Sequence, residues 1–278
     1  MGAVGTALAL SAHNAGIQIC QISSRTDASI ENLPGALQDK FVKLSELNNI
    51  TSDILFIAVK DDALNEVALQ LSKQVDIQSS IVAHCSGVLT SDTLQHLVND
   101  RVSVASFHPI QSFTGKSVFP FKEIYIDIEA DNVSYTKLEE ISAFLGAYAL
   151  RVTKEQKALL HLAASIASNF LVGLIQSSVD AGSMKGGDKA NVLKALLPLI
   201  RDTINNIDEV GTHRALTGPI VRGDSETVHE HMKLLKHEKY LSDLYKLLGE
   251  KILHISLESE RITETTAEEI YKRLYHVE

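Results

Sequence analysis

From Lys154 to Gly182 the chain reads KEQKALLHLAASIASNFLVGLIQSSVDAG, with no proline anywhere in it. Alanine and leucine recur throughout, and such a run predicts one long helix. Between Leu159 and Ile175 it is apolar on nearly every side, so it is expected to be buried on several faces. Three polar residues break the apolar run at four-residue spacing: His161, Ser165 and Asn169. At ~100° per residue each step of four drifts only ~40°, which places all three on one stripe. A polar stripe inside a buried helix needs partners, which protein, water or a substrate could supply.

The bulk properties limit what such a helix belongs to. A chain of 278 residues can build two domains with substantial cores. Its net charge of −9 argues against nucleic acid or an anionic membrane as partner. No apolar run is expected to reach the roughly 20 residues that span a bilayer, and no basic-then-apolar leader is evident. Two cysteines, Cys20 and Cys85, cannot make a disulfide framework, and both lie in strand-like runs where buried thiols are common. A cytoplasmic protein is the expectation. No metal site is expected: His229, His231 and His237 read as an exposed helix face without a converging cysteine or carboxylate.

The first half alternates strand-like and helix-like segments. MGAVGTALALSAHNAG opens as a glycine turn running into a helix, with Gly2 and Gly5 spaced as the last two glycines of GxGxxG. Gly2, Val4 and Gly5 would then lie against a pyrophosphate, although a plain helix start explains the same residues. Ile17–Ile22 reads as a strand ending at Ser24, Arg25 and Thr26. An acidic residue there would accept a ribose 2′-hydroxyl, whereas an arginine among hydroxyls suits a 2′-phosphate, which favours NADP, with a solvated loop arginine as the alternative. Further strands are expected at 54–59, 81–84, 102–106 and 123–128, with a helix at 136–145. Apolar strands alternating with helices predict a parallel sheet covered on both faces. Ligands of such sheets bind beyond the carboxyl ends of the strands. The tips at Lys60–Asp61–Asp62, Cys85–Ser86–Gly87 and His108–Gln111 should therefore converge, with Val59, Lys60, Asp61, Ser86 and Gly87 against the cofactor.

The fold expected is an α/β Rossmann-like parallel-sheet domain over residues 1–152, followed by an all-α domain over residues 153–278. The first strand of the Rossmann unit is missing, since only Met1 precedes Gly2. A start about ten residues upstream, room for a strand of ordinary length and the first glycine, is the expectation that follows. In the second half, 189–205 reads as a helix kinked at Pro198, 210–224 as a loop, and Asp224 or Ser225 as the cap of the next helix. Helices are expected over 238–257 and from about 266.

Five strings carry a resemblance: VAHCSG (82–87), SFHPIQSF (106–113), HLAASIASNF (161–170), LLPLIRDTINNI (196–207) and ALTGPIVRGD (215–224). In this order and spacing they resemble the oxidoreductase family that joins a Rossmann-like NADP-binding domain to a C-terminal helical domain of unknown function. That family is similar in build to pyrroline-5-carboxylate reductase, ketopantoate reductase and the 6-phosphogluconate dehydrogenase superfamily. The resemblance implies NADP as cofactor, a homodimer through the helical domain and a substrate cleft between the domains. It names no substrate. Two departures stand out. Lys60 occupies a position where the family pattern has proline. The β-hydroxyacid dehydrogenases place a lysine four residues before an asparagine on the corresponding helix, where this chain has Ser165 before Asn169.

Reducing a carbonyl or imine requires a proton donor, groups that orient the substrate, and a cation for its carboxylate. His161 is the first candidate acid or base, because imidazole titrates near neutrality; a structural histidine is the competing reading. Asn169 and Ser165 would orient the substrate or the nicotinamide amide. His108, before Pro109, is the second candidate, with a self-satisfied His-Pro loop as its alternative. Ser86 and Gly87 offer backbone N–H groups, Gln111 a side-chain amide, and Arg222 a bidentate carboxylate clamp, with a salt bridge to Asp224 or a capping role as the alternative for Arg222. Two functions fit: an NADP-dependent reductase or dehydrogenase of a small carboxylate-bearing keto, imino or hydroxy substrate, or a non-catalytic NADP-binding sensor or interaction module.

Overall fold

The computed structural model describes residues 2–26, 30, 33–113 and 121–276. Its chain forms two compact units, Met1–Phe170 and Leu171–Glu278.

The first unit is built on a five-stranded sheet in the order β4 (Ile54–Ile57), β6 (Ile81–His84), β7 (Ser103–Pro109), β8 (Tyr125–Glu129) and β9 (Tyr148–Arg151). β4, β6 and β7 run parallel; β8 turns antiparallel to β7, and β9 runs parallel to β8. Side chains alternate between the faces of a strand, and the core divides accordingly. Ile81, Ala83, Ala105, Phe107, Ile126 and Ile128 pack with Ala7 and Leu8 of helix α1 (Ala3–Asn14) and Leu138 of α4 (Asn132–Phe144). Ile57 and Val82 pack on the other side with Leu64, Ala68 and Leu71 of α3 (Asp61–Gln74), and with Leu94 and Leu97 of the 3-10 turn Ser91–Leu97.

Two smaller parallel pairs stand apart from this sheet. β1 (Ile22–Ser24) pairs with β2 (Phe41–Lys43) across the short helix α2 (Gly35–Gln38), and β3 (Asn49–Thr51) pairs with β5 (Asp76–Gln78). The strand expected over 17–22 is thus displaced: the chain leaves α1 through Gly16 at φ 74, and only from Ile22 does it find a ladder partner. Cys20 lies before β1 and is exposed, contrary to the buried thiol expected there. The strand expected at 102–106 extends to Pro109, because β8 continues its ladder through His108.

The long helix from residue 154 forms, with one modification. Thr153 and Gln156 make a reciprocal capping box, which starts α5 (Lys154–Ser165). A single π turn, Ile166–Phe170, then leads into α6 (Leu171–Ser183). The expectation that its apolar faces are buried is not met within one chain: Leu159, Leu162, Ile166, Phe170 and Val172 are 53–69 % exposed. Hydropathy predicts that such faces are covered, but within the chain only residues such as Lys157, Ser177 and Val179 are. By length and composition alone, Lys154–Ser183 is also apolar enough to cross a membrane, which corrects the expectation of no such run. The polar interruptions are uncharged, so mean hydropathy stays at 1.9 across the window.

In the second unit α7 (Lys189–Ala215) contains Pro198 and breaks at Gly211, φ 78. Helix therefore occupies the start of the segment expected as loop from 210. The helices α8 (Ser225–Leu234), α9 (Lys239–Glu258) and α10 (Glu264–Tyr275) bury Val228, Met232, Leu253, Ile270 and Leu274 against Ile220. Asp224 caps α8 by accepting from Thr227 N–H at 3.0 Å. His231 does not stand on an open face as expected; its Nδ1 lies 2.9 Å from the Tyr245 hydroxyl.

Candidate active site

Alternation along β6, β7 and β8 aligns His84, Ser106, His108, Asp127 and Glu129 on the face opposite Phe107 and Ile128. Four of these five are buried and polar, so each needs an account. Glu129 accepts from Ser91 N–H at 2.8 Å and from Ser91 Oγ at 2.9 Å, which pins the start of the 3-10 turn. His84 Nδ1 accepts from Ser86 N–H at 3.1 Å, and burial pushes its pKa down to about 4. His84 is therefore a neutral ring at physiological pH. Ser86 Oγ in turn accepts from the N–H groups of Val88 and Leu89, closing a tight turn.

Asp127 is wholly buried, and its two oxygens have different partners. Lys157 Nζ donates to Oδ1 at 2.9 Å, and His108 Nδ1 lies 2.6 Å from Oδ2. Lys157 is the one buried side chain of α5 and is itself fully enclosed. It sits four residues before His161, one step further back along the polar stripe. An ionised carboxylate only accepts, so His108 Nδ1 must donate, leaving Nε2 as the free nitrogen of the neutral ring.

That Nε2 points to Gly87. A methyl group at Gly87 would lie 2.8 Å from His108 Nε2 and 2.3 Å from His161 Nδ1, so both imidazoles crowd the glycine backbone. Their rings meet edge to face with centroids 5.5 Å apart. His161 Nδ1 is buried without a hydrogen-bond partner. Two histidines, one oriented by a buried carboxylate, thus flank a glycine beyond the end of a parallel strand. Such an arrangement can give a proton to, or take one from, a group seated beside Gly87.

The other expected site residues fall as follows. His161 and His108 come together; Ser165 is half-buried on α5, and Asn169 is exposed within the π turn. The π turn changes the angle per residue, so Asn169 no longer follows His161 and Ser165 at α-helical spacing. Ser168 instead reaches Ser112 Oγ at 3.3 Å, after β7. Gln111 is exposed, and its Oε1 accepts from Ser112 N–H. The Ser86 N–H expected to contact a ligand is already engaged by His84. Val59, Lys60 and Asp61 are exposed at the start of α3, where Lys60 is the N-cap residue. Gly2 is the N-cap of α1 with no side-chain cap and no acidic residue in the first turn; Val4 and Gly5 are half-buried behind it. Ser24 ends β1, followed by Arg25 and Thr26, both exposed. Arg222 is exposed in a 3-10 turn of the second unit; hydrogen bonds from Thr227 hold the nearby Asp224 carboxyl below its usual range, and Arg222 adds a smaller electrostatic contribution. Among the described residues no group of three or more histidine, cysteine, aspartate or glutamate side chains could hold a metal.

Sequence reasoning missed Asp127 and Lys157. YIDIE, with acidic residues alternating with isoleucine, has the pattern of a half-exposed strand, and a lysine near a helix start looks like a solvated charge.

The Rossmann-like domain model matches residues 1–109, and the domain of unknown function DUF2520 matches residues 124–252. The chain is a Rossmann-like domain joined to a DUF2520 domain, the pairing to which the five strings point. No curated protein matches it by sequence. Among solved structures, protein TM1727 from Thermotoga maritima is 26 % identical with a TM-score of 0.74, covering 94 % of this chain and 97 % of its own. BF3122 of Bacteroides fragilis, described as a proposed NADP oxidoreductase, is 25 % identical with a TM-score of 0.71, covering 90 % of this chain and 93 % of its own. A pyrroline carboxylate reductase of Plasmodium falciparum with NADP bound shares the fold at 13 % identity and a TM-score of 0.53, covering 98 % of this chain and 95 % of its own. The architecture is one that oxidoreductases use.

Proposed function

We propose that the protein is an NADP-dependent oxidoreductase acting on a small carboxylate-bearing keto, imino or hydroxy substrate. The observation that carries this reading is the Asp127–His108 pair beside Gly87, with His161 across from it. The residues at the start of the chain fit the cofactor. The uncapped N-terminus of α1 at Gly2, with open space around it and no acidic residue in the first turn, suits a pyrophosphate. Exposed Arg25, just past β1, suits a 2′-phosphate. When bound, NADP would supply the hydride acceptor or donor. His108 Nε2 would exchange the accompanying proton with the substrate heteroatom, and Asp127 would hold the ring in the required tautomer. His161 would orient the substrate from the other side of Gly87.

We further propose a homodimer formed through the helical region. The exposed apolar residues of 159–172, with Leu199, Ile204 and Ile207 on α7, support it.

The test is a fluorescence titration with NADPH and NADH, followed by a panel of keto and imino acids. Preferential NADPH binding and turnover that falls ~10²–10⁴-fold in His108→Ala are expected. Absence of nucleotide binding would overturn the reading. Binding without turnover on any member of the panel would assign the protein to the sensor or interaction class instead.

A further inference from the structure

Lys157 is a lysine without access to solvent in a site that is otherwise built of histidines. Its Nζ touches Asp127 Oδ1, while the other carboxylate oxygen engages His108. It is therefore too enclosed to serve as a proton donor to a substrate, and the mechanism given above does not use it. A buried ammonium is costly unless it is paired, and Asp127 is the partner that makes its position tolerable.

We propose that Lys157 is a positioning residue for His108: by pairing with Asp127 it fixes the carboxylate and offsets its charge, so that His108 keeps its proton on Nδ1 and exchanges at Nε2. The inference rests on the reading of His108 as the proton-exchanging group. Two electrostatic effects lead in the same direction. Without Lys157, Asp127 would be an uncompensated buried anion hydrogen-bonded to the imidazole, which favours imidazolium. Loss of the nearby cation would also remove a repulsion against that imidazolium. With Lys157 present, the carboxylate can orient the ring without locking it in the charged form.

The remaining titratable groups around the pair do not replace Lys157. From β6 and the turn after it come His84 and Cys85, whose pKa values burial shifts to about 4 and about 12, so both are neutral near pH 7. From β8 comes Glu129, which is held by Ser91. From α5 comes His161, in edge-to-face contact with His108. Lys157 is the group that balances the charge of Asp127.

The experiment is a pH titration of full-length protein, without cofactor, labelled with ¹⁵N at the histidine ring nitrogens; His108→Asn assigns the resonance. In the wild type the neutral His108 ring should carry its proton on Nδ1. Lys157→Gln, which keeps a donor but removes the charge, should raise the His108 midpoint by about one unit or more, and Lys157→Arg should leave it near the wild-type position. Lys157→Met, of similar volume, gives the same test should the glutamine variant not fold. A neutral ring protonated on Nε2, or a midpoint unmoved in the charge-free variants, would overturn the proposal. If the midpoint moves but the pH profile of turnover does not follow, Lys157 governs His108 as inferred and the assignment of His108 to the chemistry fails.

Discussion

His108 and Asp127 are opposite residues in the antiparallel register of β7 and β8, and their Nδ1 and Oδ2 atoms lie 2.6 Å apart. The pair is therefore set by strand register rather than by a loop. A one-residue slip of β8 would turn Asp127 into the isoleucine core and remove the carboxylate from the histidine. Placing the pair on a strand ladder gives it the rigidity that the proposed proton exchange needs.

Asp127→Asn should expose both roles of the carboxylate. It leaves Lys157 buried beside a neutral amide, and removing one partner of a buried ion pair costs about 3–5 kcal/mol. The urea midpoint should fall accordingly. Turnover should drop by ~10²–10⁴ under conditions where the variant is still folded, because the amide no longer dictates the histidine tautomer. Unchanged urea stability would count against the buried pair.

Gly87→Ala tests the close approach. The new methyl would lie 2.3 Å from His161 Nδ1 and 2.8 Å from His108 Nε2, distances that force both rings to move. Moving the His108 ring strains its bond to the buried Asp127, so the melting temperature should fall, although the chain still folds. Turnover should fall at least tenfold while NADPH affinity, which the proposed cofactor site assigns to the region around Gly2 and Arg25, is kept. Wild-type turnover in this variant would show that the space beside Gly87 is not the reaction site.

These residues also show how much the sequence made legible. The alternating strands and helices were readable because apolar runs such as IVAH and ILFI are long enough to imply burial on both faces. His161 stands out because it interrupts an apolar helix, and His108 because it follows a strand and precedes Pro109. Asp127 and Lys157 do not, because their significance depends on which elements pack over which face, a long-range property that local periodicity does not encode. The exposed helix failed for the same reason: hydropathy predicts that an apolar face is covered but not that the cover lies within the same chain.

Stability should depend on pH through His84. Its folded pKa of about 4 lies below the ordinary 6.5, so between these values the unfolded chain binds more protons. The contribution is fully present above pH 6.5 and is lost progressively toward pH 4. The loss amounts to about 3 kcal/mol if the whole shift is expressed. Urea unfolding at pH 7, 5.5 and 4 measures it against His84→Asn, whose amide oxygen can still accept from Ser86 N–H. The difference between the two proteins should shrink as the pH falls. Parallel pH dependences would remove His84 as the cause.

The apolar face of the long helix makes the last prediction. Leu162, Ile166 and Phe170 are 53 %, 53 % and 65 % exposed, and Val172 is 69 % exposed. Apolar patches of this kind are rarely left open to water on a monomer. A second copy of the chain would bury them against the same residues by two-fold symmetry, the commonest oligomer arrangement. Light scattering after gel filtration should therefore give a dimer mass for the wild type, and Leu162→Glu/Phe170→Glu should shift it to monomer by placing charges in the contact. The neighbourhood of Lys157, on the covered side of α5, should be unaffected, so NADPH titration of the monomeric variant still reports on the first unit. A wild-type monomer that partitions onto lipid vesicles would instead identify the helix as a membrane-associating element, as its length and mean hydropathy permit. A monomer that ignores vesicles would show that the face is covered by neither.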